Sequence, residues 1–331
     1  MKAIIPLAGK GTRLRPHTHH TPKPLLKVGG RPVMSYILDD LKALGVQEIV
    51  FVVGYLGDSI REYIALEYPG FRAHYVVQGI QDGTAGALKL AEPYVDDDLL
   101  ILFVDTLFDA DLSLVNTLGD EYAGVLWAKE VEDYQRFGVI VTRPDGTMER
   151  IVEKPKEPIS KLANIGLYYI RDYGLLFEGI HHTLRRPPGP GGEYFLTDAF
   201  QYMVDRGAKL LTAPVEGWYD CGKLETLLDT NRHLLETGRG GISSSARLDG
   251  THVIEPVRVE DDVVVSGGTI GPNVTLEKGA RISRTRLRDT IVGMNALIER
   301  SDLHDSLVGA HTRIEDFIGS LSVADHSEVA G

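Results

Sequence analysis

The chain has 331 residues, of which 43% are hydrophobic and 25% are charged, as in ordinary soluble globular proteins. This length allows two domains and a large core. The formal net charge of −12 argues against general nucleic-acid binding. The same charge would repel an anionic substrate, which would therefore have to be attracted by a local group of basic residues.

Cysteine content and hydropathy predict a cytoplasmic protein. Cys221 is the single cysteine, so an intrachain disulfide is excluded and a reducing compartment is expected. No apolar run approaches the roughly twenty residues of a membrane span, and the N-terminus has no signal-peptide pattern. We therefore expect neither a membrane partner nor a nucleic-acid partner.

A short apolar strand is predicted at residues 3–6, and a glycine-rich loop follows it. The loop reads LAGKGTRLRP over residues 7–16 and is followed by PKP at 22–24. Its glycines let backbone N–H groups approach a ligand, and Arg13 and Lys23 supply positive charge suited to phosphates. Leu14 replaces the third small residue of the dinucleotide-binding fingerprint, and the Gly-Lys-Ser/Thr of the NTPase P-loop is absent. The sequence therefore predicts an oligophosphate-binding loop of another kind.

Strands and helices alternate through the first half of the chain. Helical periodicity predicts helices over 32–44 and 58–68, and apolar runs predict strands over 48–53, 72–77 and 99–104. Such alternation predicts a doubly wound, mostly parallel α/β sheet that binds ligands at the carboxyl ends of its strands.

Polar residues follow two of these strands. Residues 78–87 read QGIQDGTAGA, and the Gln78 amide could contact the edge of a pyrimidine, although a polar loop with a helix cap is the ordinary interpretation. Asp105 follows the most apolar strand, at the edge of the sheet where ligands bind, although a lone aspartate after a strand is most often a turn residue.

The region after Tyr122 is richer in strands, which are predicted at 124–129, 138–142 and 148–153. The last strand ends at Glu153-Lys154-Pro155, where a carboxylate and an ammonium group could bind a sugar hydroxyl and a phosphate. A surface ion pair is the alternative. Two further polar clusters are EYFLTD at 193–198, which could simply begin a helix, and WYDCG at 218–222.

The loop LAGxGTRLxP followed by PKP resembles the signature of the sugar-1-phosphate nucleotidylyltransferases, also called NDP-sugar pyrophosphorylases. The resemblance extends from about Lys2 to about Thr237. It implies Mg²⁺-dependent transfer of a nucleotidyl group from a nucleoside triphosphate to a sugar 1-phosphate. Within the family, dTTP with glucose 1-phosphate is our first expectation and UTP the second, and a GTP-dependent mannose-1-phosphate guanylyltransferase remains open.

The resemblance also implies roles for individual residues. It implies that Arg13, Lys23 and Asp105 are catalytic and that Asp105 and Asp220 hold Mg²⁺. The implied nucleotide-binding residues are Leu7, Ala8, Gly9, Gly11, Thr12, Arg13, Gln78, Gly83 and Thr84. The implied residues for the sugar and its phosphate are Gly138, Glu153, Lys154, Asn164, Gly166, Glu193 and Trp218.

Three positions depart from the family pattern. Val104 precedes Asp105 where glycine is usual, and Cys221 and Lys223 stand where small hydroxyl residues are common. None of these changes removes an implied metal ligand, but Lys223 adds a cation that could alter substrate choice.

The composition and the spacing of apolar residues change beyond residue 238. Residues 238–250 are predicted to be a linker by composition, and apolar residues then recur every five or six positions. This degenerate hexapeptide repeat predicts a parallel β-helix over 251–331, following a catalytic domain at 1–237. It resembles the left-handed β-helix attached to some members of the family, and its open edges predict a homo-oligomer.

Two other functions are compatible with this architecture. A non-catalytic regulatory homologue is disfavoured because the charged motif residues are all present. An acyltransferase activity of the β-helix is disfavoured because its repeat is short and His304, His311 and His326 lack a diagnostic context. A zinc site at residues 17–20 is also disfavoured, because those histidines continue the phosphate loop.

Overall fold

The computed structural model describes all residues from 1 to 331. By contact density the chain divides into two compact units. The first comprises Met1–Lys10 and Ile37–Trp218, and the second comprises Gly11–Tyr36 and Tyr219–Gly331. None of the helices combines the length and the apolar character that crossing a membrane requires.

Six α-helices and a larger set of strands make up the chain. The helices are α1 (Val33–Ala43), α2 (Gly57–Glu67), α3 (Thr84–Ala91), α4 (Tyr173–Leu184), α5 (Leu196–Asp205) and α6 (Leu224–Leu234). The strands up to residue 220 are β1 (Lys2–Pro6), β2 (Lys27–Val28), β3 (Arg31–Pro32), β4 (Glu48–Val53), β5 (Arg72–Val77), β6 (Leu99–Leu102), β7 (Thr106–Asp109), β8 (Gly124–Glu130), β9 (Gly138–Thr142), β10 (Met148–Glu153), β11 (Leu162–Ile170), β12 (Leu210–Pro214) and β13 (Gly217–Asp220). The remaining strands are β14 (Gly241–Ile242), β15 (Arg247–Val253), β16 (Val257–Val259), β17 (Val264–Ile270), β18 (Val274–Leu276), β19 (Arg281–Val292), β20 (Leu297–Glu299), β21 (Asp302–Val308), β22 (Arg313–Glu315), β23 (Ile318–Gly319), β24 (Ser322–Val323) and β25 (Glu328–Ala330).

A mixed sheet forms the centre of the first unit. Its main path runs β10-β9-β11-β6-β1-β4-β5, and β8 pairs with β11 and β12. Strands β6, β1, β4 and β5 are parallel to one another, whereas β11 is antiparallel to β6, β8 and β9. The parallel half is the predicted doubly wound sheet, and the antiparallel half extends it at one edge.

The buried strands of the parallel half are almost entirely apolar. Residues 49–52 of β4 and 99–102 of β6 are fully buried, because helices cover both faces of this part of the sheet. The predicted strands 48–53, 72–77, 138–142 and 148–153 coincide with those observed. The strand predicted over 99–104 ends earlier, at Leu102, which leaves Asp105 on the connection to β7.

A parallel β-helix forms most of the second unit. Its successive coils are joined by parallel ladders, in which Val264 pairs with Arg281, Arg281 with Leu297 and Leu297 with Arg313. The apolar repeat faces the interior and is buried throughout, at Val259, Val265, Ile270, Leu276, Ile282, Leu287, Val292, Ile298, Leu303, Val308 and Ile314. The hexapeptide interpretation of the sequence is therefore confirmed as a β-helix.

Left-handed backbone conformations mark the corners of the β-helix. Asp262, Asn295, His311 and His326 all have φ between 55° and 60°, at corners that lie above one another. Asn and Asp tolerate this conformation better than most residues, which explains their frequency at the corners.

The compact units differ from the predicted domain boundaries in two ways. The predicted linker 238–250 includes β14, which pairs with β16, and the start of β15, which pairs with β17, so the β-helix begins within it. The segment Gly11–Tyr36 belongs to the same unit as the β-helix, although it lies near the amino end of the chain.

Candidate active site

The carboxyl ends of the parallel strands in the first unit carry the predicted ligand-binding residues. Leu7 follows β1, Gln78 follows β5 and Asp105 follows β6, and these strands are neighbours in the order β6-β1-β4-β5. The antiparallel β11 brings Gly166 to the same edge, where its carbonyl oxygen accepts a hydrogen bond of 2.9 Å from the Phe103 amide. One edge of the sheet therefore collects these polar groups, as the topology predicts.

The glycine loop follows β1 and runs beside the connection that follows β4. The Leu7 N–H donates to the Val52 carbonyl oxygen at 2.7 Å, and a Cβ on Gly54 would lie only 2.8 Å from the Ala8 carbonyl oxygen. Gly54 is thus required for the close approach of the two backbones, a role that the sequence did not indicate. Around Gly9 there is open space, since a Cβ there would meet nothing within 4 Å.

The second half of the loop belongs to the second unit. Gly11 has φ 60°, and the Thr18 hydroxyl donates to its carbonyl oxygen at 2.8 Å. The 3₁₀ turn Thr12–Leu14 buries Leu14 and leaves Thr12 and Arg13 exposed. A later 3₁₀ turn, Lys23–Leu25, begins at the half-buried Lys23. The loop therefore presents the Arg13 guanidinium to solvent, where it can meet an anionic ligand.

Asp220 lies near Lys23 within the second unit. One carboxylate oxygen accepts a bond of 2.7 Å from the Gly222 N–H, and the other accepts one of 3.2 Å from the Thr226 hydroxyl. A Cβ on Gly222 would lie 2.7 Å from Asp220 Oδ1 and 3.4 Å from Lys23 Nζ. A cation and an oriented carboxylate therefore share the space beside Gly222, which only a glycine leaves open.

The residues present are compatible with Mg²⁺. Asp105 and Asp220 offer the hard oxygen ligands that this ion prefers, and Asp105 is exposed. No group of three or more His, Cys, Asp or Glu side chains is arranged to hold a metal ion. Either carboxylate would supply only part of the coordination of such an ion, because Mg²⁺ usually takes its other ligands from phosphates and water.

The Gln78 side chain is buried and tied to the loop that follows it. Gln78 Nε2 donates to Asp82 Oδ1 at 3.1 Å and to the Gly83 carbonyl oxygen at 3.3 Å. Gln81 Nε2 donates to the Ala8 carbonyl oxygen, so this loop also holds the glycine loop. The sequence indicated Gln78 and Gly83, but it gave Asp82 and Gln81 no role.

A second set of hydrogen bonds joins this loop to residues 194–196. The Tyr194 N–H donates to the Asp82 carbonyl oxygen at 2.7 Å, and the Ala85 N–H donates to the Tyr194 carbonyl oxygen at 3.0 Å. The Thr84 hydroxyl accepts a bond of 2.8 Å from the Leu196 N–H. Thr84, predicted to contact the nucleotide, therefore also joins two loops of the site.

Four residues predicted for the sugar lie together, with Gly138 at the start of β9, Glu153 at the end of β10, and Asn164 and Gly166 within β11. A Cβ on Gly138 would be 2.8 Å from Glu153 Oε2 and 3.5 Å from Asn164 Nδ2, so a larger residue would fill this space. The Asn164 side-chain oxygen accepts a bond of 3.0 Å from the Gly166 N–H. Burial raises the pKa of Glu153 above its ordinary value, although Lys154 and the Thr197 hydroxyl oppose the shift.

The other residues predicted for the sugar and its phosphate either contact aromatic side chains or are exposed. Lys154 has φ 46°, and its ammonium group lies 5.2 Å from the centre of the Phe195 ring. The Trp218 ring packs edge-on against Phe137, with 4.9 Å between their centres, and its buried indole N–H has no hydrogen-bond partner. Glu193 is exposed. An unpaired buried donor is costly, so the Trp218 N–H is well suited to bind a polar ligand.

Comparison with known proteins identifies the family of this chain. The Nucleotidyl transferase family matches residues 2–237. The UTP–glucose-1-phosphate uridylyltransferase AglF of Haloferax volcanii is 32% identical over 241 residues, which are 71% of this chain and 97% of that protein. The glucose-1-phosphate thymidylyltransferase of Streptomyces antibioticus is 28% identical over 315 residues, which are 88% of this chain and 87% of that protein.

A solved structure has the same fold. A UDP-glucose pyrophosphorylase in complex with UDP-glucose superposes with a TM-score of 0.63 and 23% identity, covering 71% of this chain and 98% of its own. Since the family match covers more than half of the residues, the chain belongs to the nucleotidyl transferase family.

Proposed function

We propose that this protein transfers a nucleotidyl group from a nucleoside triphosphate to a sugar 1-phosphate, giving a nucleotide sugar and pyrophosphate. We take dTTP and glucose 1-phosphate as the first-choice substrates and UTP as the second nucleotide. The observation that carries the proposal is that Lys23 Nζ and the oriented Asp220 carboxylate both border the space at Gly222, in a chain whose Glu153 and Asn164 line a second polar space.

The reaction is an in-line displacement at phosphorus. An oxygen of the sugar 1-phosphate attacks the α-phosphorus, and the bond from that phosphorus to the β-phosphate oxygen breaks. Pyrophosphate leaves with the bonding electron pair. The attacking phosphate is already anionic, so no protein nucleophile or strong base is needed, and catalysis consists of positioning and charge stabilisation.

Each charged residue then has one task. Arg13 stabilises the departing pyrophosphate, Lys23 the charge that develops at the α-phosphate, and Lys154 the phosphate of the sugar. Glu153 accepts a hydrogen bond from a sugar hydroxyl. Asp105 and Asp220 would hold Mg²⁺, which supplies charge neutralisation between the two anionic substrates.

The choice of dTTP rests on similarity of the whole chain. The Streptomyces antibioticus relative, a thymidylyltransferase, is similar over 88% of this chain, whereas the Haloferax volcanii relative, a uridylyltransferase, is similar over 71%. The Haloferax volcanii relative has the higher sequence identity, 32% against 28%, so UTP remains the alternative nucleotide.

A substrate grid tests the proposal. Pyrophosphate release is measured with Mg²⁺ for dTTP, UTP, GTP, CTP and ATP, each with glucose 1-phosphate, mannose 1-phosphate and no sugar. We expect release that depends on the sugar phosphate and is fastest with dTTP and glucose 1-phosphate. Release without any sugar phosphate, or no release from any combination, would contradict a nucleotidyl transfer of this type.

A further inference from the structure

The Gln78 side-chain amide is held in one orientation. The side chain is 8% exposed, and its Nε2 donates to Asp82 Oδ1 at 3.1 Å and to the Gly83 carbonyl oxygen at 3.3 Å. A primary amide nitrogen carries two protons, so both are engaged. The oxygen, Oε1, is the atom left to bind a ligand, and it can only accept a hydrogen bond.

Asp82 is what prevents the opposite orientation. A carboxylate is an acceptor only, so turning the Gln78 amide over would place Oε1 against Asp82 Oδ1 and against the Gly83 carbonyl oxygen. Both contacts would then join two acceptors, and two donors would be lost. The amide therefore has one favourable orientation as long as residue 82 is a carboxylate.

The Asp82 carboxylate is itself fixed by the first turn of α3. A Cβ on Gly86 would lie 2.0 Å from Asp82 Oδ1, so the carboxylate occupies space that only glycine leaves open. The backbone of Asp82 is also held, because its carbonyl oxygen accepts the bond of 2.7 Å from the Tyr194 N–H. The acceptor that orients Gln78 thus has little freedom to move away.

We propose that Asp82 is a positioning residue that selects the nucleobase through Gln78. With Oε1 as the only free polar atom, Gln78 binds a base whose edge carries an imino N–H, as uracil and thymine do at N3 and guanine does at N1. Cytosine and adenine present an unprotonated ring nitrogen at that edge, and two acceptors would face each other. This inference rests on the proposed function, because it assumes that Gln78 faces the base.

The wild-type protein gives the first test, with kcat/KM measured for UTP and CTP and glucose 1-phosphate as the common acceptor. We expect UTP to be preferred by at least about 100-fold, since a buried polar group left facing the wrong partner is strongly rejected. If the protein accepts only purines, GTP and ATP give the same comparison. Equal use of the two bases would overturn the inference while leaving nucleotidyl transfer intact, whereas no turnover at all would refute the proposed function and the inference with it.

The substitution Asp82→Asn gives the second test. Asparagine offers a donor as well as an acceptor, so in the turned orientation the Gln78 oxygen would gain a donor at residue 82 and only the Gly83 carbonyl oxygen would oppose it. We therefore expect the preference for UTP over CTP to shrink about tenfold. A purely structural role would lower both kcat/KM values together and leave their ratio unchanged, which would overturn the proposal. If this variant does not fold, Asp82→Ser offers the same pair of functions in a smaller side chain.

Asp111→Asn is the matched control. Asp111 also stands before a short helix, where its carboxylate accepts a bond of 2.9 Å from the Ser113 N–H, and it touches neither Gln78 nor the loop 78–83. We expect the same ratio of UTP to CTP in this variant as in the wild type. A similar change in both variants would show that the ratio responds to general loosening, and would also overturn the role of Asp82.

Discussion

In the second unit, the position of Lys23 determines where positive charge is available for the proposed reaction. Lys23 begins a 3₁₀ turn, and its ammonium group lies beside the oriented Asp220 carboxylate at Gly222. Lysine acts on phosphates as a mobile point charge, and its effect on a transition state depends on where that charge is held. The position of Lys23 is therefore as important to the proposal as its charge.

Replacing Lys23 with alanine tests this role. We expect Lys23→Ala to keep its thermal unfolding midpoint near that of the wild type and to lose turnover by about 10²–10³, the usual cost of removing one charge-stabilising donor. Turnover is measured as pyrophosphate release at saturating substrates. The control Lys42→Ala removes an exposed lysine from α1 and should retain full turnover. Near-normal turnover in Lys23→Ala would refute the assignment.

Motif residues could be predicted one by one, but their neighbours could not. Gln78 and Glu153 stand in recognisable patterns at the ends of strands, so the sequence indicates them. Asp82 lies two residues before a helix, where an aspartate is ordinarily a cap, and only its contact with Gln78 distinguishes it. The orientation of an amide depends on partners brought by folding, which local sequence does not specify.

At the scale of elements, the loop before α3 and the segment before α5 behave as one structure. Their backbones exchange hydrogen bonds through Asp82, Ala85 and Tyr194. Gly83 lies between them with φ 112°, and a Cβ on it would be 2.4 Å from the Tyr194 carbonyl oxygen. The loop proposed to contact the base is therefore held against the segment before α5 at a position that only glycine can occupy.

The substitution Gly83→Ala should separate these two segments. We expect the KM for the nucleoside triphosphate to rise about tenfold and the free energy of unfolding to fall by more than about 1 kcal/mol, since alanine is strained at positive φ. Steady-state kinetics and urea unfolding measure the two effects. Gly79→Ala is the control in the same loop, because a Cβ there meets nothing within 4 Å. Equal effects of both substitutions would show that the Tyr194 contact is unimportant.

The sequence specified some elements better than others for a physical reason. Strands such as β4 coincide with the predicted range because both faces are buried and the apolar run is continuous. The start of the β-helix was missed because 238–247 is rich in Gly and Ser, which is typical of a linker, whereas β14 is held there by pairing with β16. The antiparallel order of β8 to β11 depends on long-range pairing and was not predicted.

At the scale of the whole molecule, the β-helix is bound to the segment that carries Arg13 and Lys23. Both belong to the second unit, and several buried contacts join them. His17 Nε2 lies 3.0 Å from Ser322 Oγ, and burial lowers the pKa of His17 to about 4, so the ring is neutral at pH 7. Asn231 of α6 accepts hydrogen bonds from the Gly29 N–H at 2.9 Å and from the Thr275 hydroxyl at 2.8 Å.

An ion pair between Lys27 and Glu277 also joins the β-helix to the segment that carries Lys23, and its removal tests this contact. Lys27 Nζ lies 3.0 Å from Glu277 Oε2, and the two side chains are 30% and 11% exposed. Lys27 follows the turn that begins at Lys23, so a loosened Lys27 would move the residue proposed to act on the α-phosphate. We therefore expect the β-helix to help position the loop that carries Lys23.

Lys27→Met leaves the Glu277 carboxylate buried without its partner. We expect this variant to lose about 3 kcal/mol of unfolding free energy and about tenfold in turnover, because breaking a buried pair is costly and a small displacement of a catalytic group is too. Adding Glu277→Met removes the remaining charge and should return both quantities toward wild type. Lys278→Met is the control, since Lys278 and Asp262 lie 3.9 Å apart at the surface and contribute little. If the single variant lost stability but kept full turnover per folded molecule, the β-helix would stabilise the chain without positioning Lys23.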